Sequence, residues 1–360
     1  MKITFVMANW KSLAGGVQST GDLAYHLQKR GHEVYMVSPQ KRRPSGLQQV
    51  KSLLKGKGLI PWKRTGPSHL DNLDLPRRIL DHPPPVTDAD IPDADIVIAT
   101  WWETAEWVAN LSPSKGAKVY MIRHHETHDY LPKERVAATY RLPLHKIVIS
   151  QWLVDVMDKE YGDQNVSLVP NSVDFKKYYA EPRKKQTVPT VGMLYSPLYW
   201  KGCDISLKAF ALASEQIPNL KLVCFGTKPP VPELPLPPRS EFFCQPPQDQ
   251  IKDIYASCDA WLFGSRFEGF GRPILEAMAC RTPVIGVPSG AAPELLSDGI
   301  GILVKPEDPE EMAEAIVKIC QMSQEQWGQM SERAYTKAIS YTWDDAALLC
   351  EQVLEKLLRS

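Results

Sequence analysis

Glu268 and Glu276 stand eight positions apart, and Gly269-Phe270-Gly271-Arg272-Pro273-Ile274-Leu275 fills the interval. The apolar run at 260–263 before them reads as a buried strand. Residues 273–279 read as a helix with proline at its first position. Glu268 then falls on a glycine-rich loop at the end of a strand, and Glu276 in the first turn of the next helix. Backbone N–H groups at a helix start favour an anion, and carboxylates accept hydrogen bonds from hydroxyls. The pattern suits an anion with hydroxyls on both sides. The bland alternative is two surface glutamates flanking an ordinary loop.

Other residues could act on the same kind of ligand. In Trp200-Lys201-Gly202-Cys203-Asp204 a lysine opens a helix, where it is either a point charge for a phosphate or a solvated side chain. Gly15-Gly16 follows the first strand and opens a helix, which suits a phosphate approaching the backbone or merely a tight turn needing positive φ. Arg123-His124-His125-Glu126-Thr127-His128 holds three histidines in five residues. A metal site is one reading, but the rest of the chain offers no evident partner cluster, so no metal ligand is assigned. Asp88-Ala89-Asp90 and Asp93-Ala94-Asp95 both precede the strand at 96–99 and read as a solvated turn.

The elements that must position these residues alternate along the chain. Apolar runs near 3–7, 33–37, 96–99, 118–122, 147–149 and 166–169 are separated by helical patterns. After a break that opens with the turn at 170–174 and includes the polar stretch 181–186, where the linker is expected, the pattern restarts at 191–194, 222–225, 241–243, 260–263, 284–286 and 302–304. Continuous apolar strands between helices imply α/β architecture with parallel sheets covered on both faces. With 360 residues and 43% hydrophobic content, two domains are expected, at 1–182 and 187–341. Lys plus Arg equals Asp plus Glu at 42 each, so no overall field favours nucleic acid. No run approaches eighteen apolar residues, and the N-terminus lacks a signal-peptide pattern. Seven cysteines lie between Cys203 and Cys350 with no C-x-x-C pair, which points to reduced thiols in a cytoplasmic enzyme.

The Glu268 to Glu276 motif resembles the Glu-x7-Glu signature of retaining GT-B glycosyltransferases. That large family, glycosyltransferase family 4 type, includes sucrose and phosphatidylinositol-mannoside synthases. The likeness continues through Thr282-Pro283-Val284-Ile285-Gly286, Gly290-Ala291-Ala292-Pro293-Glu294-Leu295-Leu296 and Asp298-Gly299-Ile300-Gly301. It implies two Rossmann-like doubly wound domains facing a central cleft, with the last helix, 343–360, packing back on the first domain. Glu276 would bind the nucleotide ribose, and Glu268 would hold the transferred sugar. N–H groups from Gly269, Phe270, Gly271, Arg272 and Ile274 would meet the donor. Lys201 and the Gly15-Gly16 loop would stabilise the leaving diphosphate, and His125, or alternatively His124, would lie close to the reacting sugar.

Met193 stands where the family often has arginine, so Arg272 or Arg266 would have to supply any second cation. The chemistry implied is a metal-independent same-face transfer with no cofactor. Residues 100–107 and 149–153 look most like bacterial exopolysaccharide and cell-wall transferases, which implies UDP-glucose as donor and a saccharide or lipid-linked acceptor. A GT-B nucleotide-sugar epimerase or phosphorylase, or a two-lobed saccharide-binding protein, are the alternatives.

Residues 41–66 carry eight basic residues and no acid, with Leu47, Val50, Leu53 and Leu54 at helical spacing. This resembles an interfacial segment for an anionic membrane at its cytoplasmic face. A mobile charged loop is the other reading.

Overall fold

The apolar runs form parallel strands because both their faces are covered. Ile3, Phe5, Ile96, Ile98, Met36 and Val119 are each at most 1% exposed. The computed structural model describes residues 1–8, 14–40, 44–56, 58–60 and 68–359, and the chain divides into two units.

The first unit comprises Met1–Val148, Val154–Val169 and Asp344–Ser360. Its strands are β1 (Lys2–Val6), β2 (Glu33–Ser38), β3 (Arg77–Ile79), β4 (Ile96–Ala99), β5 (Ala117–Ile122), β6 (His145–Val148) and β7 (Val166–Leu168). They pair in parallel in the order β3-β2-β1-β4-β5-β6-β7. Phe5 of β1 lies in register with Met36 on one side and Ile98 on the other. Among the described residues the edge strand β3 pairs with β2 and no other strand. Its Arg-Arg-Ile sequence carries no apolar run, so sequence pattern does not announce it.

The last helix, Trp343–Arg359, belongs to this unit from Asp344 onward. Its acidic side chains meet basic groups on the helix Gly15–Lys29 and in the turn between that helix and β2. Asp344 Oδ1 is 2.7 Å from His26 Nδ1, Glu351 accepts from Arg30 Nε at 2.8 Å, and Glu351 Oε1 is 3.0 Å from His32 Nε2.

The second unit comprises Ile149–Leu153 and Pro170–Trp343. Its strands are β8 (Thr190–Leu194), β9 (Lys221–Gly226), β10 (Ser240–Cys244), β11 (Ala260–Phe263), β12 (Val284–Gly286) and β13 (Ile302–Leu303), ordered β10-β9-β8-β11-β12-β13 and all parallel. Strand order reverses beside β1 in one sheet and beside β8 in the other. Loops leaving the carboxyl ends of strands at such a reversal form the ligand crevice of doubly wound sheets.

The polar stretch at 181–186, expected as the linker, is tied into the second unit. Arg183 donates to Cys258 O at 2.5 Å and to Thr282 Oγ1 at 2.8 Å. Lys185 Nζ donates to Cys320 O at 2.5 Å, and Asp259 accepts from Gln186 N at 2.8 Å. One division between the units falls between Val169 and Pro170. Among the described residues no helix is long and apolar enough to cross a membrane.

Candidate active site

Two loops leave the switch point of the second sheet, one after β8 and one after β11, and glycines bring them together. Gly202 sits at φ +57, and a Cβ built there would lie 1.8 Å from the Gly264 carbonyl oxygen. Gly264 is equally confined, its own Cβ position lying 2.5 Å from Ser206 Oγ. Only glycine fits either place. The contact fixes Lys201, one residue before Gly202, against the loop carrying Glu268. Lys201 Nζ donates to Glu268 Oε1 at 2.5 Å. A cavity of ≈ 20 Å³ lies beside this pair, with Gly264, Ser206 and Trp261 in its wall.

The helix that follows runs Arg272–Ala279. Gly271, at φ +93, is its N-cap, and its Cβ position is 2.8 Å from the Phe263 ring. Proline therefore occupies the second helical position, one later than the spacing suggests. Ile274, Leu275, Ala277, Met278 and Ala279 are buried, which sets the helix on the sheet. A buried aliphatic chain the size of leucine contributes about 1.5–3 kcal/mol, so the helix start is held by packing rather than by its caps.

Glu276 is buried on this helix. Its Oε2 accepts from the Tyr255 hydroxyl at 2.9 Å, and its Oε1 lies 3.4 Å from an Arg272 guanidinium nitrogen. The Gly269 carbonyl accepts twice, from Ser150 Oγ at 2.8 Å and from Trp152 Nε1 at 2.9 Å. Phe270 is buried, and its carbonyl accepts from Ala291 N at 2.8 Å. The backbone between the two glutamates is thus clamped at two successive carbonyls.

Two expectations change here. The Ile274 N–H already donates to Gly271 O at 3.0 Å, inside the first helical turn. Arg266 is committed elsewhere. It pairs with both oxygens of Asp204 at 2.9 and 2.8 Å, and with Glu307 at 2.6 and 2.9 Å. Its guanidinium also covers the Tyr199 ring at 4.2 Å. Two carboxylates hold its charge, so it ties the β8 and β11 loops together rather than offering a free cation. Asp204 and Glu307 are far from Arg266 in the chain, which is why spacing alone does not reveal this.

The first unit carries the remaining candidates. Gly15 and Gly16 are the first residues of the helix Gly15–Lys29, and neither has positive φ. Among the described residues, a Cβ at Gly16 would meet Arg123 Cδ, at an ordinary 3.8 Å. Arg123 donates to Ser19 Oγ at 2.7 Å, which places a guanidinium beside that helix's first turn. His125 is half-buried, its Nε2 2.8 Å from the Tyr161 hydroxyl, and burial lowers its pKa against the opposing pull of Glu160. His124 Nδ1 is 2.8 Å from His125 O, and its ring lies 5.0 Å from that of His128.

Glu126 is 3% exposed, and burial raises its pKa well above the ordinary carboxylate range, favouring the neutral acid. Its Oε2 accepts from Trp102 N at 3.4 Å, at the start of the helix Trp102–Ala109. Among the described residues no group of three His, Cys, Asp or Glu is placed to hold a metal ion. The Asp-x-Asp carboxylates bind the protein itself: Asp88 accepts from Ser112 N, Asp90 from Thr87 N, Asp93 from Lys115 and Asp95 from Lys2 N.

The basic segment lies partly outside the described residues, namely Lys41, Arg42, Arg43, Lys57, Trp62, Lys63 and Arg64. Its centre is a helix, Gly46–Leu54, opened by a Ser45 and Gln48 capping box, and no described residue of it is buried.

Comparison with known proteins matches each half of the chain. A family model described as Glycosyltransferase Family 4 covers residues 13–177, and one described as Glycosyl transferases group 1 covers residues 174–337. A phosphatidylinositol N-acetylglucosaminyltransferase component from Arabidopsis thaliana is 26% identical over 207 residues, 54% of this chain and 44% of the relative. O-antigen chain mannosyltransferase RfbU of Salmonella typhimurium is 27% identical over 186 residues, 49% of this chain and 51% of the relative. The chain thus spans about half the length of these curated relatives. Among solved structures, Anabaena HepE in complex with UDP and glucose superposes with a TM-score of 0.71 at 18% identity, over 100% of both chains. That likeness establishes the fold. With two parallel doubly wound sheets of GT-B type, and with the two family descriptions meeting at residues 174–177, the chain belongs to the group 1, family 4 type glycosyltransferases.

Proposed function

We infer that the enzyme moves a hexose from a UDP-sugar, UDP-glucose foremost, to a saccharide or lipid-linked saccharide acceptor with retention at the anomeric carbon. The observation that carries this reading is the Lys201–Glu268 contact beside the clamped backbone of residues 269–271. When a donor binds, Lys201 exchanges its carboxylate partner for the diphosphate and stabilises the charge of the leaving group. Glu268, released from the lysine, accepts hydrogen bonds from hydroxyls of the transferred sugar, and its charge favours positive character at the anomeric carbon. Glu276 takes the ribose hydroxyls. Gly16 suits a phosphate-approach role for the first helix, since it opens that helix and, among the described residues, leaves its N-terminal backbone close only to the Arg123 side chain.

Retention follows from a same-face departure and attack, in which the leaving phosphate takes the acceptor proton and no metal takes part. A double displacement needs a carboxylate nucleophile about 5 Å from the acid. Within the second unit Glu268 is instead paired with lysine and Glu276 with tyrosine and arginine. The donor preference rests on the solved likenesses, described as HepE with UDP-glucose and with UDP and glucose.

The acceptor side includes an anionic membrane surface at its cytoplasmic face. Leu47 and Leu54 are 76% and 82% exposed on a helix that also carries Lys51, with Lys55 at its end. Apolar and basic side chains together on an unburied helix suit a lipid interface.

The test is UDP release from UDP-glucose by purified protein without acceptor, followed by the anomeric configuration of a transferred product. Slow release of UDP and a retained anomer are expected. Absence of release with UDP-glucose, alongside release from another nucleotide sugar, overturns the donor; an inverted product overturns the mechanism.

A further inference from the structure

Tyr255 belongs to the short helix Ile251–Ala256 and is completely buried. Its ring is walled by Trp261 at 4.4 Å and Phe225 at 5.8 Å between centroids. Its backbone carbonyl accepts from Thr282 Oγ1 at 2.7 Å. A tyrosine so enclosed cannot turn its hydroxyl to water and needs a fixed partner. That partner is Glu276 Oε2, at 2.9 Å.

A carboxylate has about four acceptor positions. Tyr255 fills one on Oε2, and Arg272 approaches Oε1 at 3.4 Å. The plane of the Glu276 carboxylate is therefore set from behind by a residue held in an aromatic core. Resting on the assignment of Glu276 to the nucleotide ribose, we propose that Tyr255 is a positioning residue that makes the donor site selective for ribose over deoxyribose. By holding Oε2 it fixes which lone pairs face the vicinal hydroxyls. A site built around hydroxyls rejects an analogue lacking them because a buried carboxylate is then left unsatisfied. Phenylalanine at 255 keeps the ring and its packing, yet frees the carboxylate to rotate. The penalty then falls on the hydroxyl-bearing nucleotide alone.

The experiment is calorimetric titration of UDP and of 2′,3′-dideoxy-UDP into wild-type protein, Tyr255→Phe, Glu276→Gln and the double variant. Wild type is expected to prefer UDP by about 10-fold or more, the size of a hydrogen bond to a charged group. Tyr255→Phe is expected to lose most of that preference, weakening UDP while leaving dideoxy-UDP unchanged. In the Glu276→Gln background the same change is expected to add little.

If Glu276→Gln leaves UDP binding unchanged, the ribose assignment itself fails. If Glu276→Gln weakens UDP but Tyr255→Phe leaves the preference intact, or weakens both nucleotides equally, the positioning role alone fails. Equal affinity of wild type for the two nucleotides overturns the proposal without any variant, even if Tyr255→Phe does not fold.

Discussion

The ammonium of Lys201 lies 2.5 Å from a carboxylate oxygen of Glu268, and the two are brought together from opposite sides of a strand-order reversal. Each neutralises part of the other's charge before a nucleotide arrives. Removing the lysine does two things: the diphosphate loses its cation, and Glu268 becomes an unbalanced negative charge in its path. Lys201→Ala is expected to lower the rate of UDP release about 10²–10³-fold, the size of one lost transition-state donor. Adding Glu268→Ala is expected to cost less than the product of the two single effects. Strict additivity in a double-mutant cycle would show that the contact is incidental.

The glycine contact beneath that pair has its own signature. Gly202→Ala places a methyl 1.8 Å from the Gly264 oxygen at φ +57. The left-handed backbone alone costs roughly 1–2 kcal/mol, and the overlap forces the loop to move. Urea unfolding is expected to show a loss of more than about 2 kcal/mol together with loss of UDP release. Gly162→Ala, at φ +67 with open space around it, is the control and is expected to show only the backbone cost with activity retained.

Glu126 predicts a pH-dependent stability. Burial raises its folded pKa above 4.5, opposed only in part by the Trp102 N–H. Above pH about 4.5 the unfolded chain ionises this carboxyl while the folded chain keeps it protonated, so the residue costs progressively more stability as pH rises toward the folded value. Glutamine is neutral at every pH. Glu126→Gln is therefore expected to raise the thermal midpoint at pH 7 and to leave it unchanged below pH about 4. A stabilisation of equal size at both pH values would remove the titration from the explanation.

Transfer is expected to survive excess chelator. Each Asp-x-Asp pair already holds protein donors, and His125 is engaged with Tyr161. Activity that disappears in chelator and returns with manganese or magnesium would contradict this.

Sedimentation with anionic vesicles reads the exposed helix. Neutralising Lys51 and Lys55 is expected to weaken association by roughly 1 kcal/mol per residue at low salt, less at high salt. Leu47→Ser with Leu54→Ser is expected to weaken it at all salt concentrations. UDP release should be unchanged in both, because no residue of this helix is among those proposed to bind the donor. A wild-type protein that ignores anionic vesicles at low salt ends the membrane reading.

Much of this architecture is legible in the chain because parallel strands covered on both faces must be apolar throughout. Ala260–Phe263 and Ile96–Ala99 are found where the apolar runs lie. The Glu268 and Glu276 loop is legible for a related reason: glycine and proline at 269, 271 and 273 leave few conformations open. What is illegible depends on distant partners. β3 is set by backbone pairing to β2 and by Arg77 donating to Leu70 O, with no apolar run of its own. Arg266 looks available until Asp204 and Glu307 fold onto it. Tyr255 stands 21 positions from Glu276, and Ser150 stands 119 from Gly269, with no periodicity linking either pair.

The first unit is assembled from three stretches of chain, the last beginning at Asp344. During synthesis it cannot be completed until the helix Trp343–Arg359 has left the ribosome, whereas every segment of the second unit has emerged by Trp343. His26, Arg30 and His32 wait for Asp344 and Glu351 throughout that interval. Domains usually finish folding in the order they are made. Here the order is reversed: the half translated first receives its last segment last, and a chain cut short after Trp343 carries every segment of the second unit but lacks the closing helix of the first.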